Sequence, residues 1–204
     1  MVRKAINTLI FLFIFSLYFM SFLMIYDTFR QRKLENLEAN AIDAFDKQVK
    51  VKKVTVDDID NSNVNDGDVS YGNYTILGKI EIPKIGFSSV IIKEYTYNAM
   101  NVGVIKTYGV DLNEPGGFNL SGHNFRGRSL FMYNIYRLVD GDKIYISDVN
   151  GRQLEYTVYD VLRNVSPSDS SVYRSYDGYN VTLITCEDDG GHTRIVVKAR
   201  ALEG

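Results

Sequence analysis

Glycine and proline are confined to the later two thirds of this chain. All 16 glycines lie at Gly67 or beyond, and so do the three prolines, Pro83, Pro115 and Pro167. The first 66 residues therefore lack the residues that break helices most strongly. This division predicts a helical N-terminal third followed by a domain of many turns and short elements.

An uncharged and largely apolar stretch runs from Ala5 to Tyr26. As a helix it would measure roughly 33 Å, enough to cross a hydrocarbon core of about 30 Å. Its end, Leu23–Asp27, has no small-residue cleavage site, which favours a retained signal-anchor over a cleaved signal peptide. Arg3 and Lys4 favour a cytoplasmic N terminus, although three basic residues at 30–33 weaken the charge asymmetry.

The segment between this stretch and the turn-rich domain has two parts. Residues 28–50 keep helical spacing, with Leu34, Leu37, Ala41 and Phe45 on one stripe. Residues 51–73 carry five aspartates among Asn, Ser and Gly, which is typical of a solvated linker and fits no EF-hand pattern. The predicted organisation is a cytoplasmic tail and membrane anchor over 1–27, a helical connector and acidic linker over 28–73, and a folded domain over 74–204.

Short β-type runs alternate with turn residues throughout the C-terminal domain. The predicted strands are Ile76–Ile82, Ser89–Tyr95, Val102–Lys106, Gly117–Ser121, Lys143–Ser147, Gln153–Leu162, Asn180–Cys186 and Arg194–Ala201. Ser129–Leu138 is the one helical candidate. Strands at this spacing predict a mostly β domain, either a barrel or a sandwich.

Charge and residue counts exclude several functional classes. Lys and Arg number 23 against 25 Asp and Glu, so no global positive field exists to collect nucleic-acid phosphates. A single cysteine excludes an intrachain disulfide and a multi-cysteine metal site, and two histidines leave little for a histidine cage. No phosphate-binding glycine motif occurs.

The only cysteine, Cys186, lies at the end of a predicted strand, and seven residues separate it from Arg194. Gly190 and Gly191 between them predict a turn, so the two strands would form a hairpin. If Cys186 pairs with Arg194, both side chains share a face, and the guanidinium can stabilise a thiolate or an oxyanion. Taken singly, a buried hydrophobic cysteine and a surface or ion-paired arginine are the commoner roles.

A thiol-dependent acyl transfer also requires a histidine. His123 follows a predicted strand in the segment Asn119–Asn124, and His192 lies in the turn between Cys186 and Arg194. The strand-end position favours His123, and proximity to Cys186 favours His192. The residues by themselves do not decide which of the two histidines would be catalytic.

Four segments together resemble the sortases of Gram-positive bacteria, in the same order along the chain. Thr182–Cys186 (TLITC) matches the motif around the family's nucleophile, and Arg194 matches its arginine. Leu120–Asn124 (LSGHN) matches the segment that carries its histidine, and Thr75–Pro83 resembles its opening strand. The resemblance covers roughly residues 75–202.

This resemblance implies an eight-stranded β-barrel with one or two short helices and a cysteine transpeptidase. Cys186 would attack the Thr–Gly bond of an LPxTG-like sorting signal, and His123, not His192, would exchange protons. Arg194 would hold substrate and oxyanion, with Thr185 and the Glu187 backbone N–H as further positioning or oxyanion groups.

The resemblance also implies the partners and the location of the enzyme. Substrates would be surface proteins or pilins with sorting signals, and the acceptor would be a peptidoglycan-precursor amine or a pilin lysine. The catalytic domain would be extracellular on a single-pass membrane protein. No DPF- or DPW-like lid precedes Thr75 and the stretch 165–179 is short, which favours a class A- or D-like enzyme.

No cofactor is expected, and no nucleic-acid partner. Calcium activation, known in part of the family, would have to use carboxylates such as Asp111 and Glu114, which a turn usually leaves solvated. A different class of function is a non-catalytic, membrane-tethered β domain that binds surface proteins or wall components. Such a domain has no need of a cysteine, a histidine and an arginine together. A plain cysteine hydrolase is a third candidate function.

Overall fold

A computed structural model of the protein describes residues 2–59, 69–124, 132–174, 178–188 and 190–202. The chain divides into two compact units, residues 1–36 and 37–204. One helix, α1 (Val2–Gln48), contains most of the first unit and the beginning of the second.

The first unit consists of the apolar part of α1. Its large hydrophobic side chains are exposed, among them Phe11, Phe13 and Met24. The helix is long and apolar enough to cross a membrane, and none of its apolar window is buried within the protein. An exposed apolar helix of this length is stable only in a non-aqueous environment or against a partner.

Among its described residues, the second unit contains ten strands. They are β1 (Lys52–Lys53), β2 (Val69–Tyr71), β3 (Tyr74–Ile82), β4 (Phe87–Ile92), β5 (Val104–Gly109), β6 (Gly116–Ser121), β7 (Lys143–Asp148), β8 (Arg152–Val165), β9 (Tyr179–Cys186) and β10 (Arg194–Ala201). The eight predicted strands are all present as β3 to β10, with ends within three residues of prediction. The helical candidate is a 3-10 helix over Met132–Arg137, and residues 129–131 lie outside the described residues.

Strands β3 to β10 close into an eight-stranded barrel. The order is β3-β4-β5-β6-β9-β10-β8-β7, and β7 then pairs with β3 to complete the ring. Closure brings the two backbones close together at Gly78, where an added Cβ would lie 2.2 Å from the Ser147 carbonyl oxygen. Only glycine fits there without a shift of the strands. The barrel expected from the sortase resemblance is confirmed.

The barrel has a core inside and a second cluster outside. Alternate residues of β9, Val181 and Leu183, belong to the interior core. Outside, Ala41, Phe45 and Val49 of the connector pack with Val90 and other residues of β3 to β5. The stripe predicted on the connector is therefore a packing surface, and the folded unit begins near Leu37 instead of at residue 74.

Part of the predicted acidic linker also belongs to the fold. β1 pairs in parallel with β8, and β2 pairs with β3. Val54, Val56 and Ile59 pack on the interior core, so residues 51–59 differ from the expected solvated segment. Asp60, Asp66 and Asp68 lie outside the described residues. Strands of two or three residues carry too little alternation to be recognised in a sequence.

Candidate active site

The carboxyl end of β9 and the amino end of β10 meet at one end of the hairpin. Cys186 pairs directly with Arg194 in the antiparallel register, which confirms the register assumed from the sequence. Leu183 and Ile195 point into the interior core, so Cys186 and Arg194 lie on the outer face of the barrel wall. Paired residues of an antiparallel ladder have Cβ atoms about 5 Å apart, which puts thiol and guanidinium within mutual reach.

Strand β6 brings His123 to the same place. It runs parallel to β9, and the last pair in register is Ser121 with Ile184. Beyond it, the Gly122 N–H donates to the Ile184 carbonyl oxygen at 3.2 Å. The Asn124 side-chain amide then donates to the Cys186 carbonyl oxygen. Continuing the register by two residues sets His123 level with Cys186.

His123 is partly enclosed. The ring of Tyr97 meets it edge-on with ring centroids 4.9 Å apart, and the Nε2 atom is buried. Burial lowers the pKa of His123 below its usual value, because the imidazolium loses hydration. The ring is therefore neutral at neutral pH and able to accept a proton.

His192 has a different setting. Its Nδ1 lies 2.7 Å from Asp188 Oδ2, and the Asp188 carboxylate also accepts from the His192 backbone N–H at 2.7 Å. The histidine lowers the pKa of Asp188, mainly through the hydrogen bond between its ring and the carboxylate. The imidazole side chain is 82 % exposed, and its contacts hold the β9–β10 turn together. This setting favours a structural role for His192.

The turn also fixes Arg194. Its Nη1 donates to the Gly191 carbonyl oxygen at 2.7 Å and to the Thr193 carbonyl oxygen at 3.1 Å. Gly191 has a φ of +67°, and a Cβ built on it would lie 3.8 Å from both Cys186 Sγ and Arg194 Nη1. The space over Gly191 is therefore bounded by the Cys186 thiol on one side and the Arg194 guanidinium on the other.

Two further predicted site residues have other contacts. Thr185 is buried, and its hydroxyl donates to the Gly122 carbonyl oxygen at 2.8 Å. It therefore supports the His123 segment from inside the barrel. The Glu187 N–H donates to the Thr193 carbonyl oxygen at 2.9 Å, and its side chain pairs with Arg163. An oxyanion role for this N–H would require that bond to open.

A groove extends from Arg194 along the outer face of β6 and β9. Its volume is about 540 Å³. Ile184 and Asn119 line its floor, and Tyr108 and Tyr173 line its sides. An open channel with aromatic walls and a floor of one apolar and one polar side chain suits an extended peptide.

The carboxylates considered for calcium lie elsewhere and have cationic partners. Glu114 accepts from Arg152 Nη2 at 2.9 Å, and Asp148 accepts from Arg152 Nε at 2.7 Å. Asp111 lies 3.7 Å from Lys106 Nζ. Within the described ranges, no group of three or more His, Cys, Asp or Glu side chains is arranged to hold a metal ion.

The barrel brings Cys186, Arg194 and the His123 segment together at one end of the β9–β10 hairpin. The sortase domain family matches residues 80–202, and the chain belongs to the sortase family. Sortase A of Bacillus anthracis is 25% identical over 185 residues, which cover 88% of this chain and 85% of the relative.

Solved structures carry the same fold. Sortase A from Corynebacterium diphtheriae, a lid mutant, matches with a TM-score of 0.59 and 23% identity over 65% of this chain and 73% of that one. A Clostridium perfringens sortase D5 transpeptidase matches with a TM-score of 0.57 and 20% identity, over 82% of this chain and 97% of its own.

Three residues near the site were not identified from the sequence. The Asn124 side chain donates to the Cys186 carbonyl oxygen, and the ring of Tyr97 contacts His123. Asn119 lines the groove. Asn124 directly follows the histidine, so its position was a usable signal. Tyr97 lies in a connection distant in sequence, and only the fold brings it to the histidine.

Proposed function

We propose that this sortase-family protein is a cysteine transpeptidase, of the cysteine-peptidase type, that cleaves an LPxTG-like sorting signal between Thr and Gly. The single observation that carries the proposal is the direct pairing of Cys186 with Arg194 on the groove face. The parallel strand beside it supplies His123. A groove of about 540 Å³ that Arg194 and Asn119 both line supports a place for the residues that precede the scissile bond.

The chemistry proceeds in two acyl transfers. Cys186 gives its thiol proton to His123 as Sγ attacks the threonine carbonyl carbon, and the resulting oxyanion is stabilised by Arg194. Collapse breaks the Thr–Gly bond, and the glycine nitrogen leaves with a proton from His123, which forms the thioacyl enzyme. An incoming amine gives its proton to His123, attacks the thioester carbonyl, and expels the Cys186 thiolate.

The acceptor is an amine of the cell wall, on a peptidoglycan precursor, or a pilin lysine. The absence of a DPF- or DPW-like lid before Thr75 and the short connection between β8 and β9 support a class A- or D-like anchoring enzyme. The substrates are then surface proteins whose sorting signals reach the outer face of the membrane.

The test uses the full-length protein in detergent with a sorting-signal peptide. Intact-mass spectrometry should detect an adduct on Cys186 whose added mass equals that of the peptide up to and including threonine, less one water. Cys186→Ala and a scrambled peptide are the matched controls. Reversible peptide binding without an adduct would instead favour a non-catalytic binding domain.

Arg194 could act on the thiol or on the oxyanion, and the two roles have different consequences. Loss of a cation that promotes thiolate formation would slow alkylation of Cys186 at neutral pH. Loss of an oxyanion donor would leave alkylation nearly unchanged and lower turnover on the order of 10²-fold or more. We expect the second result for Arg194→Ala, because water screens an accessible guanidinium. Arg194→Lys should also be impaired, since it lacks the planar fork.

The enzyme requires no metal in this proposal. The pairing of Arg152 with Glu114 and Asp148 supports it, because a fixed guanidinium already pairs with both carboxylates. Turnover should be the same in excess chelator and in millimolar calcium. A calcium-dependent rise in turnover would contradict this part of the proposal.

The proposed location is the cell membrane, with the N terminus inside and the catalytic domain outside. Arg3 and Lys4 before the apolar part of α1 support this orientation. Protease added to intact protoplasts should digest the C-terminal domain. Protection of the domain until lysis would contradict the orientation.

A further inference from the structure

One buried side chain in the groove offers an unused hydrogen-bond acceptor. Asn119 is 3 % exposed and lies on the groove floor. Its Nδ2 donates to the Tyr173 carbonyl oxygen at 3.1 Å, which ties the Ser170–Tyr173 turn to β6. Its Oδ1 is buried with no hydrogen-bond partner among the described residues. The Tyr173 bond fixes the orientation of the amide, so Oδ1 and not Nδ2 is the atom that lacks a partner among the described residues.

An acceptor of this kind favours a ligand that carries a donor. A buried polar atom without a partner costs roughly 1–3 kcal/mol, because its hydration has been lost without replacement. Asn119 already bears that cost in the free enzyme. A substrate N–H that reaches Oδ1 therefore gains a hydrogen bond without removing water from the acceptor.

Strand geometry gives the distance from Asn119 to the nucleophile. Asn119 pairs with Thr182 across β6 and β9, and Cys186 lies four residues further along β9. At about 3.3 Å per residue, Asn119 lies about 13 Å from the nucleophile. Four extended substrate residues, counted back from the one joined to Cys186, cover about the same distance.

We infer that Asn119 Oδ1 accepts a backbone N–H of the substrate at the fourth residue, counting the threonine as the first. This inference rests on the proposed sorting signal. In an LPxTG-like sequence the fourth residue is the leucine, and the third is proline, which has no N–H to donate. The hydrogen bond sets the register of the peptide in the groove, so Asn119 is a specificity-determining residue.

The experiment removes the donor and the acceptor separately. Three substrates are compared: the amide peptide, an ester analogue that replaces the leucine N–H with oxygen, and an ester analogue at the residue after proline. For the native enzyme, kcat/KM should fall roughly tenfold with the leucine ester. It should change little with the second ester, which lies closer to Cys186.

Substitutions at Asn119 then show whether the fall in kcat/KM caused by removing the leucine N–H depends on the Asn119 acceptor. Asn119→Ala should lower kcat/KM for the amide peptide by a similar factor and abolish the amide–ester difference. Asn119→Asp keeps an acceptor oxygen and loses the bond to Tyr173, so it should retain the difference. Asn180→Ala is the matched control, because Asn180 is a buried asparagine on β9 that donates to the Gly178 carbonyl oxygen at 3.2 Å. It should leave the amide–ester ratio unchanged.

The outcomes separate this inference from the proposed function. If native enzyme forms no Cys186 adduct with the amide peptide, the proposed function fails. If it forms the adduct and the leucine ester is equally impaired in native enzyme and Asn119→Ala, the inference alone is overturned. Thermal melting of each variant identifies loss of folding, and Asn119→Asp then still tests the acceptor.

Discussion

Glu38 is a carboxylic acid buried where α1 packs on the barrel, and its replacement should stabilise the protein. The side chain is 3 % exposed, and neither carboxylate oxygen has a well-formed hydrogen bond from the described residues. Burial raises the pKa of Glu38 from 4.5 to about 8, and contact with the Ser89 hydroxyl opposes the shift. The residue lies 12 positions beyond the apolar stretch that ends at Tyr26, outside the membrane segment.

The raised pKa of Glu38 determines whether the free energy of unfolding rises or falls with pH, and over which pH range. Between pH 4.5 and about 8 the folded state holds a proton that the unfolded state has released, so stability falls as pH rises. Each pH unit lowers the free energy of unfolding by about 1.4 kcal/mol. The total loss is about 3 kcal/mol at pH 7 and about 5 kcal/mol above pH 8. Glu38→Gln has nearly the same shape and no charge, so it should recover most of this loss.

Urea unfolding of the full-length protein, followed by tyrosine fluorescence at pH 5 to 9, measures the effect. Native protein and Glu38→Gln should have similar unfolding free energies at pH 5 and diverge progressively to about pH 8. The control is Glu35→Gln, an exposed glutamate on the same helix, which should follow the native curve. Parallel curves for Glu38→Gln and native protein would refute a buried, protonated Glu38.

Three further predictions concern the site and the fold. His123→Ala should abolish transpeptidation while His192→Ala retains most of it, and the reverse result in a turnover assay would overturn the assignment. Gly191→Ala should slow both alkylation and turnover, because a methyl group would enter the space between thiol and guanidinium, and unchanged rates would contradict that geometry. A truncation that starts at residue 37 should melt cooperatively, whereas one that starts at 74 should lose the outer core and melt lower. Equal melting temperatures would show that the connector contributes nothing.

The strands were predictable because short β-type runs alternate with turn residues, and the choice of a barrel over a sandwich came from the sortase resemblance. Burial alternates along β3, whereas most residues of β4 and β10 are buried, so period two by itself does not mark every strand. The pairing of Cys186 with Arg194 was predictable too, since the Gly-Gly turn and the seven-residue connection limit the possible registers. Local pattern was therefore sufficient for the strands and for this hairpin.

The position of the connector was not predictable in the same way. The stripe that contains Ala41 and Phe45 indicated an apolar face, but not which surface would cover it. Glu38, beside that stripe, gave the opposite signal because a glutamate usually marks a solvated face. The packing joins residues far apart in the sequence, and local pattern carries no information about such contacts.

Asn119 was equally hidden in the sequence. An asparagine within a strand is read as an ordinary polar position on the outer face. Its function depends on the bond to Tyr173, which is 54 residues away along the chain. The histidine was different, because the short segment around His123 matched a family motif as a unit.

The partition of products between an amine and water tests the central claim most directly. Full-length protein is incubated with a sorting-signal peptide and an increasing concentration of an amine acceptor, and products are quantified by mass spectrometry. A transpeptidase with Cys186 as nucleophile should convert the peptide to the amine conjugate at the expense of the free acid, and Cys186→Ala should form neither. Free acid alone at every amine concentration would make the protein a hydrolase, and any conjugate formed by Cys186→Ala would contradict the account.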